Sequence, residues 1–273
     1  MRCAVLGDPI EHSLSPVLHR AGYAELGLTW EYDAVRVPED GLPGFLAGLG
    51  ADWRGLSLTM PLKRRALELA APGTVTDGAR LAGAANTLVL EHGRVVLAEN
   101  TDLPGAVAAV RERYDGPVTT GTVLGGGATA ASTGLALCEL GATSVRLLAR
   151  SPERAATAAA AIAAHPSGPH VEVLPLTGGE VVGEVVVSTV PARAQDPGLV
   201  VRCAAAPVVF EVLYDPWPTP LAASVGEERV LIGGLDLLLH QAVLQFELFT
   251  GRPGPLAAMR AAGEQELAAR RAG

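Results

Sequence analysis

Residues 119–141 read "TTGTVLGGGATAASTGLALCELG", and the fold class follows most directly from them. An apolar segment ends in Gly125, Gly126 and Gly127, and a run of small residues follows. An apolar run that stops at glycines is typical of a buried strand, and the small residues favour a helix that packs closely on it. The spacing Gly125-x-Gly127-x-x-Ala130 predicts a strand, a tight turn and a helix N-terminus.

The glycine turn has the chemistry of an anion site. Gly125 permits the sharp turn, Gly127 lets backbone N–H groups approach a pyrophosphate, and Ala130 allows close packing of helix on strand. The helix N-terminus that follows carries a partial positive charge that faces the anion. A purely structural turn is the alternative, and the predicted strand and helix on either side favour a dinucleotide site over it.

The end of the next predicted strand distinguishes between the two nicotinamide dinucleotides. An NAD site usually has an acidic residue about 20 residues after the glycines, which accepts hydrogen bonds from the ribose hydroxyls. Here the strand "SVRLLAR" (144–150) ends without a carboxylate, and Arg150, Ser151 and Arg154 occupy the region. Guanidinium groups and a hydroxyl suit the 2′-phosphate of NADP. The sequence favours NADP over NAD, with a charged loop that binds no ligand as the alternative.

Strand-like and helix-like segments alternate along the whole chain. Its 273 residues are 49% hydrophobic and 18% charged, which is enough for a large buried core. The first hundred residues end in a predicted hairpin that turns at His92-Gly93, and the chain from Leu235 onward is predicted to be helical. We expect an α/β fold: an N-terminal α/β domain, a Rossmann-type doubly wound domain with a mostly parallel sheet, and C-terminal helices.

Charge and cysteine usage argue against several classes of partner. The formal net charge of −8 disfavours nucleic acid or an anionic membrane surface as the main partner. The charge-free stretch 121–138 is too rich in Gly, Thr and Ser for a membrane span. Cys3, Cys138 and Cys203 form an odd, scattered set, which favours reduced thiols. The N-terminus has no signal-peptide pattern. We therefore expect a cytoplasmic protein. Our further expectations are a small-molecule substrate, a monomer or homodimer, and no metal site.

The stretch "SLTMPLKRR" (57–65) holds Lys63, the single lysine among 21 lysine and arginine residues. Arginine occupies the next two positions, so the preference of this chain for arginine over lysine extends to the residues directly beside Lys63. An ammonium group can give up a proton, whereas a guanidinium stays charged. Pro61 predicts that Lys63 lies in the first turn of a helix, where the helix dipole disfavours the ammonium form. Lys63 is a candidate for acid–base chemistry, with an incidental surface lysine as the alternative.

A candidate carboxylate follows in "AENTDLPG" (98–105). Asp102 precedes a predicted helix that begins near Leu103-Pro104, at the junction between the first part of the chain and the dinucleotide-binding part. A substrate cleft is expected at such a junction. Because Asp is also a favoured helix N-cap, Asp102 caps the helix, takes part in catalysis, or does both.

Nine segments in a fixed order carry a family resemblance. They are "GDPIEHSLSPVLH" (7–19), "SLTMPLK" (57–63), "GAANTL" (83–88), "NTDLPG" (100–105), "GGGATA" (125–130), "ARSPERA" (149–155), "STVP" (188–191), "YDPWPTPL" (214–221) and "GLDLLLHQAVLQFELFTG" (234–251). Together they resemble the shikimate dehydrogenase family along almost the whole chain. No single segment is decisive, but nine in register are highly specific.

The resemblance implies a reaction and a domain plan. Such enzymes are oxidoreductases that reduce 3-dehydroshikimate to shikimate with NADPH, in the pathway to chorismate and the aromatic amino acids. Residues 1–102 would bind the substrate and carry the catalysis, and residues 103–234 would form the NADP-binding domain. The helices of residues 235–273 would pack back on the first domain.

The resemblance also implies roles for individual residues. Lys63 and Asp102 are the catalytic pair. The substrate-binding residues are Ser13 and Ser15, which would hold the carboxylate, and Ser57, Thr59, Asn86, Tyr214 and Gln241. The cofactor-binding residues are Gly125, Gly126, Gly127, Ala128, Thr129, Arg150, Ser151, Arg154 and Thr189, with Val212 and Gly234 at the nicotinamide end. Asp77 matches an acidic position at the cofactor edge, with a surface loop as the alternative.

Three positions depart from the commoner family pattern. Ser57 stands where many members have Asn, Ala149 where Asn often precedes the arginine, and Leu237 where Met is frequent. These changes leave open a paralogue that acts on quinate or an amino-substituted shikimate. A dinucleotide-binding regulator without turnover is a second alternative, and the retained catalytic pair argues against it. A folate-type methylene dehydrogenase would be expected to carry Tyr four residues before the lysine, where this chain has Thr59.

Overall fold

The computed structural model describes residues 1–272. The strands are β1 (Arg2–Gly7), β2 (Glu31–Arg36), β3 (Trp53–Leu58), β4 (Thr87–Glu91), β5 (Arg94–Glu99), β6 (Thr120–Leu124), β7 (Ser144–Ala149), β8 (His170–Pro175), β9 (Val185–Ser188), β10 (Val208–Glu211) and β11 (Val230–Ile232). The helices are α1 (Ser15–Glu25), α2 (Leu42–Ala47), α3 (Leu62–Leu69), α4 (Asp77–Ala82), α5 (Asp102–Arg113), α6 (Ala128–Glu139), α7 (Pro152–Ala163), α8 (Pro197–Arg202), α9 (Pro220–Ala223), α10 (Gly234–Thr250) and α11 (Leu256–Ala272).

The chain divides into two compact units. The first unit contains Met1–Arg80, Ala84–Thr101 and the chain from Leu238 onward. The second unit contains Leu81–Gly83 and Asp102–Leu237. Apart from Leu81–Gly83, the chain therefore leaves the first unit after β5 and returns to it within α10.

The first unit is built on a mixed sheet with the strand order β2-β1-β3-β4-β5. β1 runs parallel to β2 and β3, whereas β4 runs antiparallel to β3 and β5. The hairpin between β4 and β5 turns at His92 and Gly93, whose φ angles of 50° and 73° form the left-handed turn that suits a tight hairpin. Since β1 and β3 end at the edge of the sheet where β4 begins, the segments that carry Ser15, Lys63 and Asn86 start from that one edge.

The second unit is built on a parallel sheet with the order β8-β7-β6-β9-β10-β11. With β6 as the first strand, this is the doubly wound order of dinucleotide-binding folds. The order reverses between β6 and β9, and ligands of such sheets bind outside the carboxyl ends of the strands at that point. Gly125 follows β6 and Thr189 follows β9, so both lie at the point of reversal.

The two units have separate cores. In the first unit, Phe246 of α10 and Met259 of α11 are fully buried against the sheet residues Cys3 and Tyr32. In the second unit, the small residues of α6, with Ala130 fully buried, pack on the strands of the parallel sheet. The C-terminal helices thus complete the core of the first unit rather than forming a domain of their own.

The predicted α/β class, the hairpin, the parallel second sheet and the C-terminal helices on the first unit are confirmed. One boundary differs, because α5 begins on Asp102 itself rather than near Leu103-Pro104. The short helices α4, α8 and α9 were not expected, since helices of 4 to 6 residues are specified by packing and not by periodicity. None of the helices in residues 1–272 combines the length and hydropathy that a membrane crossing requires.

Candidate functional site

The segment that carries Lys63 links β3 to α3. β3 ends at Leu58 and α3 begins at Leu62, so Lys63 is the second residue of the helix, and it is half-buried. The carbonyl oxygen of Lys63 accepts a 2.9 Å hydrogen bond from the backbone N–H of Ala85. This bond ties the turn that carries the lysine to the residue that precedes Asn86.

Asn86 is the centre of a buried group of amides and hydroxyls. Its Oδ1 accepts hydrogen bonds from the backbone N–H of Thr101 and the hydroxyl of Thr87, both at 2.8 Å. Its Nδ2 donates to Thr101 Oγ1 at 3.0 Å and to Gln241 Oε1 at 3.4 Å. The structure therefore brings together Asn86 and Gln241, two of the residues that the family pattern assigns to the substrate.

Ser57 uses its hydroxyl inside the first unit. It accepts a hydrogen bond from the phenol of Tyr32 and donates a 2.7 Å bond to Gln245 Oε1. Gln245 Nε2 in turn donates to Thr87 Oγ1 at 2.9 Å and to the carbonyl oxygen of Asn86 at 3.2 Å. Sequence reasoning missed Gln245. A signal was present, since a glutamine four residues after the predicted substrate glutamine lies on the same helix face.

The predicted carboxylate-binding serines lie at the start of α1. Ser15 is the first helical residue and is buried, and its backbone N–H donates to Ser13 Oγ at 3.3 Å. Thr59, just after β3, donates its N–H to the carbonyl oxygen of Leu6 at 2.9 Å. The methyl group of Thr59 occupies the space that a Cβ at Gly7 would need, so the glycine permits this close approach.

His19 lies one turn into α1 and its ring is fully buried. It stacks on the Tyr32 ring with a centroid distance of 4.1 Å. Neither ring nitrogen has a hydrogen-bond partner among residues 1–272. Burial lowers the pKa of His19 from 6.5 to about 3, outweighing the opposite effect of the nearby Gln245 amide. With a pKa this far below its ordinary value, the imidazole is neutral at physiological pH.

The two acidic candidates occupy contrasting positions. Asp102 is the first residue of α5 and is buried. It belongs to the second unit, whereas Lys63 belongs to the first. Two residues earlier, the side chain of Asn100 donates a 2.9 Å hydrogen bond to the carbonyl oxygen of Ala84. Asp77 is fully exposed at the start of α4, with its carboxylate 4.0 Å from a guanidinium nitrogen of the same helix. This exposure favours the surface alternative for Asp77.

The three glycines of the turn between β6 and α6 differ in the space that each leaves for a side chain. Gly125 has φ of 127°, and a Cβ there would collide with the hydroxyl of Thr189. That hydroxyl donates a 2.8 Å bond to the carbonyl oxygen of Leu124 and so holds the turn. A Cβ on Gly126 would lie 2.6 Å from Cβ of Ala155 in α7. A Cβ on Gly127 would meet no heavy atom within 4 Å, so among the three glycines of this turn the open space is at Gly127.

Helix α6 begins at Ala128, and Thr129 lies in its first turn. Within residues 1–272 no side chain caps this N-terminus. Its backbone N–H groups therefore face the open space beside Gly127. This cradle fits a pyrophosphate.

The predicted 2′-phosphate residues lie at the junction of β7 and α7. Arg150 and Arg154 are exposed. Ser151 caps α7, where its hydroxyl oxygen accepts the Arg154 backbone N–H at 3.4 Å. The same hydroxyl donates a 2.7 Å bond to the carboxylate of Glu153, and this bond lowers the pKa of Glu153. Sequence reasoning missed Glu153, because the carboxylate lies just after the strand end rather than on it.

The residues assigned to the nicotinamide end meet at the carboxyl end of β10. A Cβ on Gly234 would collide with the carbonyl oxygen of Val212 and with the backbone of Leu213, so the glycine permits the close approach. The start of α10 is held by Asp236, which accepts the Gly233 N–H at 2.9 Å. Arg113 donates two hydrogen bonds, at 2.8 and 3.0 Å, to the Asp236 carboxylate.

A buried carboxylate precedes this region. Glu211 accepts hydrogen bonds from Gln195 at 2.6 Å, Thr219 at 2.9 Å and the N–H of Leu213 at 3.1 Å. Burial raises its pKa, and these hydrogen bonds oppose the rise. Glu211 therefore anchors both ends of the loop that carries Tyr214. Within the described part of the chain, no group of three or more His, Cys, Asp or Glu residues is placed to hold a metal ion.

Two family models match the chain. The model of the shikimate dehydrogenase substrate binding domain matches residues 5–88, which include the segment around Lys63. The model of the shikimate 5′-dehydrogenase C-terminal domain matches residues 234–262, which form α10 and the first part of α11. Both matched ranges contain residues of the first unit.

A similar protein matches the chain over nearly its full length. The shikimate dehydrogenase (NADP(+)) of Desulfitobacterium hafniense is 32% identical, and the alignment covers 97% of this chain and 98% of that protein. The chain belongs to the shikimate dehydrogenase family. The resemblance carried by the nine segments is therefore confirmed, and the two-unit architecture belongs to a shikimate dehydrogenase fold.

Solved structures of the shikimate dehydrogenase family have the same fold. The crystal structure of the Mycobacterium tuberculosis shikimate dehydrogenase has a TM-score of 0.87 and 39% identity, and the match covers 97% of this chain and 99% of that one. The Thermus thermophilus shikimate 5-dehydrogenase, in complex with NADP(H) and shikimate, has a TM-score of 0.80 and 28% identity, with coverage of 97% and 99%.

Proposed function

We propose that this chain catalyses the NADP-dependent, reversible reduction of 3-dehydroshikimate to shikimate, in chorismate and aromatic amino acid biosynthesis. The observation that carries the proposal is the similarity to a shikimate dehydrogenase (NADP(+)) over 97% of the chain, which spans both units. The names of the similar proteins support shikimate, rather than quinate or an amino-substituted analogue, as the substrate.

We assign substrate binding mainly to the first unit. Ser13 and Ser15 offer hydroxyls at the N-terminus of α1, where the helix dipole favours a carboxylate. Asn86 and Gln241 offer amides that suit ring hydroxyls. A site built from such groups rejects a ring that lacks the matching hydroxyls, because its own polar groups would be left unpaired. The further substrate residues of the proposal are Ser57, Thr59 and Tyr214.

We assign the proton exchange to Lys63 and Asp102. When bound, NADPH supplies the hydride that reduces the ketone carbon. The ketone oxygen then gains negative charge, which the ammonium group of Lys63 stabilises and to which it delivers a proton. Arginine would keep the charge but would not release a proton at any working pH. Asp102 is the acidic member of the pair.

We assign NADP binding to the second unit. The open space at Gly127, beside the N-terminus of α6, supports pyrophosphate binding there. The exposed guanidinium groups of Arg150 and Arg154 support binding of the 2′-phosphate. The junction of Val212 and Gly234 supports contact with the nicotinamide end. The further cofactor residues of the proposal are Gly125, Gly126, Ala128, Thr129, Ser151 and Thr189.

We also propose a reducing compartment, the cytoplasm, for this enzyme. Cys3, Cys138 and Cys203 are buried free thiols, and burial raises the pKa of each to about 11. Such thiols are inert core residues that persist without pairing where thiols are kept reduced.

The test is a turnover assay of the purified chain with shikimate or quinate, each with NADP or NAD, followed by the absorbance of the reduced cofactor. We expect the highest kcat/KM for shikimate with NADP. The Lys63→Met variant sets the background. A higher kcat/KM for quinate would move the chain to the quinate paralogues, and no turnover with any of the four pairs would overturn the proposed activity.

A further inference from the structure

Five buried side chains of the first unit form a continuous chain of hydrogen bonds, which we name the amide relay. It runs from β2 through β3 and α10 to the start of β4, and every member is at most 3% exposed. Its members are, in order, Tyr32, Ser57, Gln245, Thr87 and Asn86. Hydrogen bonds in such a chain support one another when each group has one defined direction of donation.

A backbone carbonyl sets the direction in the middle of the relay. The carbonyl oxygen of Asn86 can only accept, so the end of the Gln245 amide that lies 3.2 Å from it is Nε2. Gln245 Oε1 then faces Ser57, which must donate to it. Ser57 therefore accepts from Tyr32. Burial raises the pKa of the Tyr32 phenol, which stays protonated and able to donate.

A backbone N–H sets the direction at the far end. The N–H of Thr101 can only donate, so the end of the Asn86 amide that it meets at 2.8 Å is Oδ1. The Thr87 hydroxyl accepts from Gln245 and passes its own proton to the same Oδ1 at 2.8 Å. A reversed Asn86 amide would set its NH₂ group against two donors. Its Nδ2 therefore lies on the opposite side, where it donates to Thr101 Oγ1 at 3.0 Å and to Gln241 Oε1 at 3.4 Å.

We propose that Gln245, itself held by Ser57, is a positioning residue that acts through Thr87, together with the backbone N–H of Thr101, to hold the amide of Asn86 with its N–H groups toward the substrate. The site then offers a donor, and not an acceptor, to one ring hydroxyl oxygen. This inference rests on the proposed function, because it assumes that Asn86 binds the ring. It gives Ser57, already among the proposed substrate residues, a further role through Gln245 and Thr87.

The relay could instead serve stability alone, and kinetics separate the two roles. A structural role predicts a lower melting temperature with unchanged Michaelis constants. A positioning role predicts a higher KM for the ring substrate, with kcat and the KM for NADP nearly unchanged, since neither the hydride donor nor the proton donor belongs to the relay. The two roles therefore differ in a quantity that the assay measures directly.

The experiment uses Ser57→Ala, Gln245→Leu and the double variant, with Thr250→Ala as the matched control. Thr250 lies on the same helix, and its hydroxyl bonds to the nearby backbone of Phe246 and Arg252. We expect each single variant to raise the KM for shikimate about tenfold, the effect of one oriented hydrogen bond. The double variant should have the same KM for shikimate as Gln245→Leu, since the two residues act in series. The control should behave like the unmodified chain.

Shikimate analogues that lack one ring hydroxyl provide the second readout. The penalty of Gln245→Leu should disappear with the analogue that lacks the hydroxyl bound by Asn86, and remain with the others. The positioning role is overturned if both variants leave the KM for shikimate unchanged. It is also overturned if Gln245→Leu raises the KM by the same factor for every analogue. Ser57→Ala removes a single oxygen and carries the test if Gln245→Leu does not fold. Failure of the unmodified chain to turn over shikimate overturns the proposed function itself, so the two failures are distinguishable.

Discussion

The hydroxyl of Ser151 donates a 2.7 Å hydrogen bond to the carboxylate of Glu153 in the first turn of α7. The same turn carries Arg154, and Arg150 stands just before it. The hydrogen bond lowers the pKa of Glu153, so the carboxylate is ionised at neutral pH. The proposed 2′-phosphate site thus contains one negative charge beside its cations, and that charge opposes the phosphate.

Neutralising Glu153 should strengthen NADP binding. We expect Glu153→Gln to lower the KM for NADP about two- to fivefold at low ionic strength, and to leave the KM for NAD unchanged. The gain should shrink as salt is added, because exposed charges are screened. Glu31→Gln, which removes an exposed carboxylate of the first unit, is the control. An equal decrease in the KM for NADP and the KM for NAD would contradict a role for Glu153 at the 2′-phosphate.

Removing the guanidinium of Arg150 should have the opposite effect. We expect Arg150→Ala to reduce the ratio of kcat/KM for NADP over NAD at least about tenfold, since a charge-assisted contact with the phosphate is lost. The KM for shikimate is the internal control and should stay constant. A ratio that does not change would remove Arg150 from the 2′-phosphate site.

Two glycines of the turn should separate folding from cofactor binding. Gly125→Ala should lower the free energy of unfolding by about 1–3 kcal/mol, because φ of 127° is strained for alanine and the methyl meets Thr189. Gly127→Ala, with φ of −90° and open space, should leave stability nearly unchanged but raise the KM for NADP. Denaturant titration without cofactor and steady-state kinetics measure the two effects. Equal stability of both variants would contradict this division.

Exchanging the single lysine for arginine should separate charge from proton transfer. We expect Lys63→Arg to lower kcat at least about 100-fold, within the usual range for general acid–base catalysis. The dissociation constant for shikimate, measured by calorimetry, should change little because the positive charge remains. Arg64→Lys, on the exposed neighbouring position, should be fully active. Turnover of Lys63→Arg near that of the unmodified chain would exclude the lysine from proton transfer.

The buried imidazole of His19 should make the protein less stable in acid. Its pKa is about 3 in the folded state, against an ordinary value of 6.5, so the unfolded chain binds more protons between these values. The free energy of unfolding therefore falls as pH drops through this window, by up to about 1.4 kcal/mol per pH unit. His19→Phe keeps the ring stacked on Tyr32 and should flatten the slope between pH 6 and pH 4, within that window. Denaturant titrations across this range that give parallel slopes would contradict the assignment.

Local features of the chain were predictable because local rules specify them. Gly125 has φ of 127°, a conformation that other residues rarely adopt, so a glycine at this position predicts the turn from sequence alone. The His92-Gly93 turn and the position of Lys63 in the first turn of α3 follow from similar short-range signals. The parallel direction of the strands in the second unit also follows, since alternating strands and helices join strands through right-handed crossovers.

The relay could not be predicted, because its contacts join residues that are far apart in the chain. Ser57 and Gln245 are separated by 188 positions, and Gln245 and Thr87 by 158. A glutamine on a helix has no local signal for the partner that its amide will meet. The same holds for Glu211, whose burial appears only when β10 is placed inside the parallel sheet.

The order of residues alone was sufficient for the family, the fold class and the types of group at the candidate site, because turn geometry, periodicity and motif spacing are short-range properties. The direction of each hydrogen bond at that site was decided only in the folded chain. The Asn86 amide and the Gln245 amide could each face either way until a backbone N–H and a backbone carbonyl were brought against them. Those two groups have a fixed polarity, and only tertiary packing supplies them as neighbours.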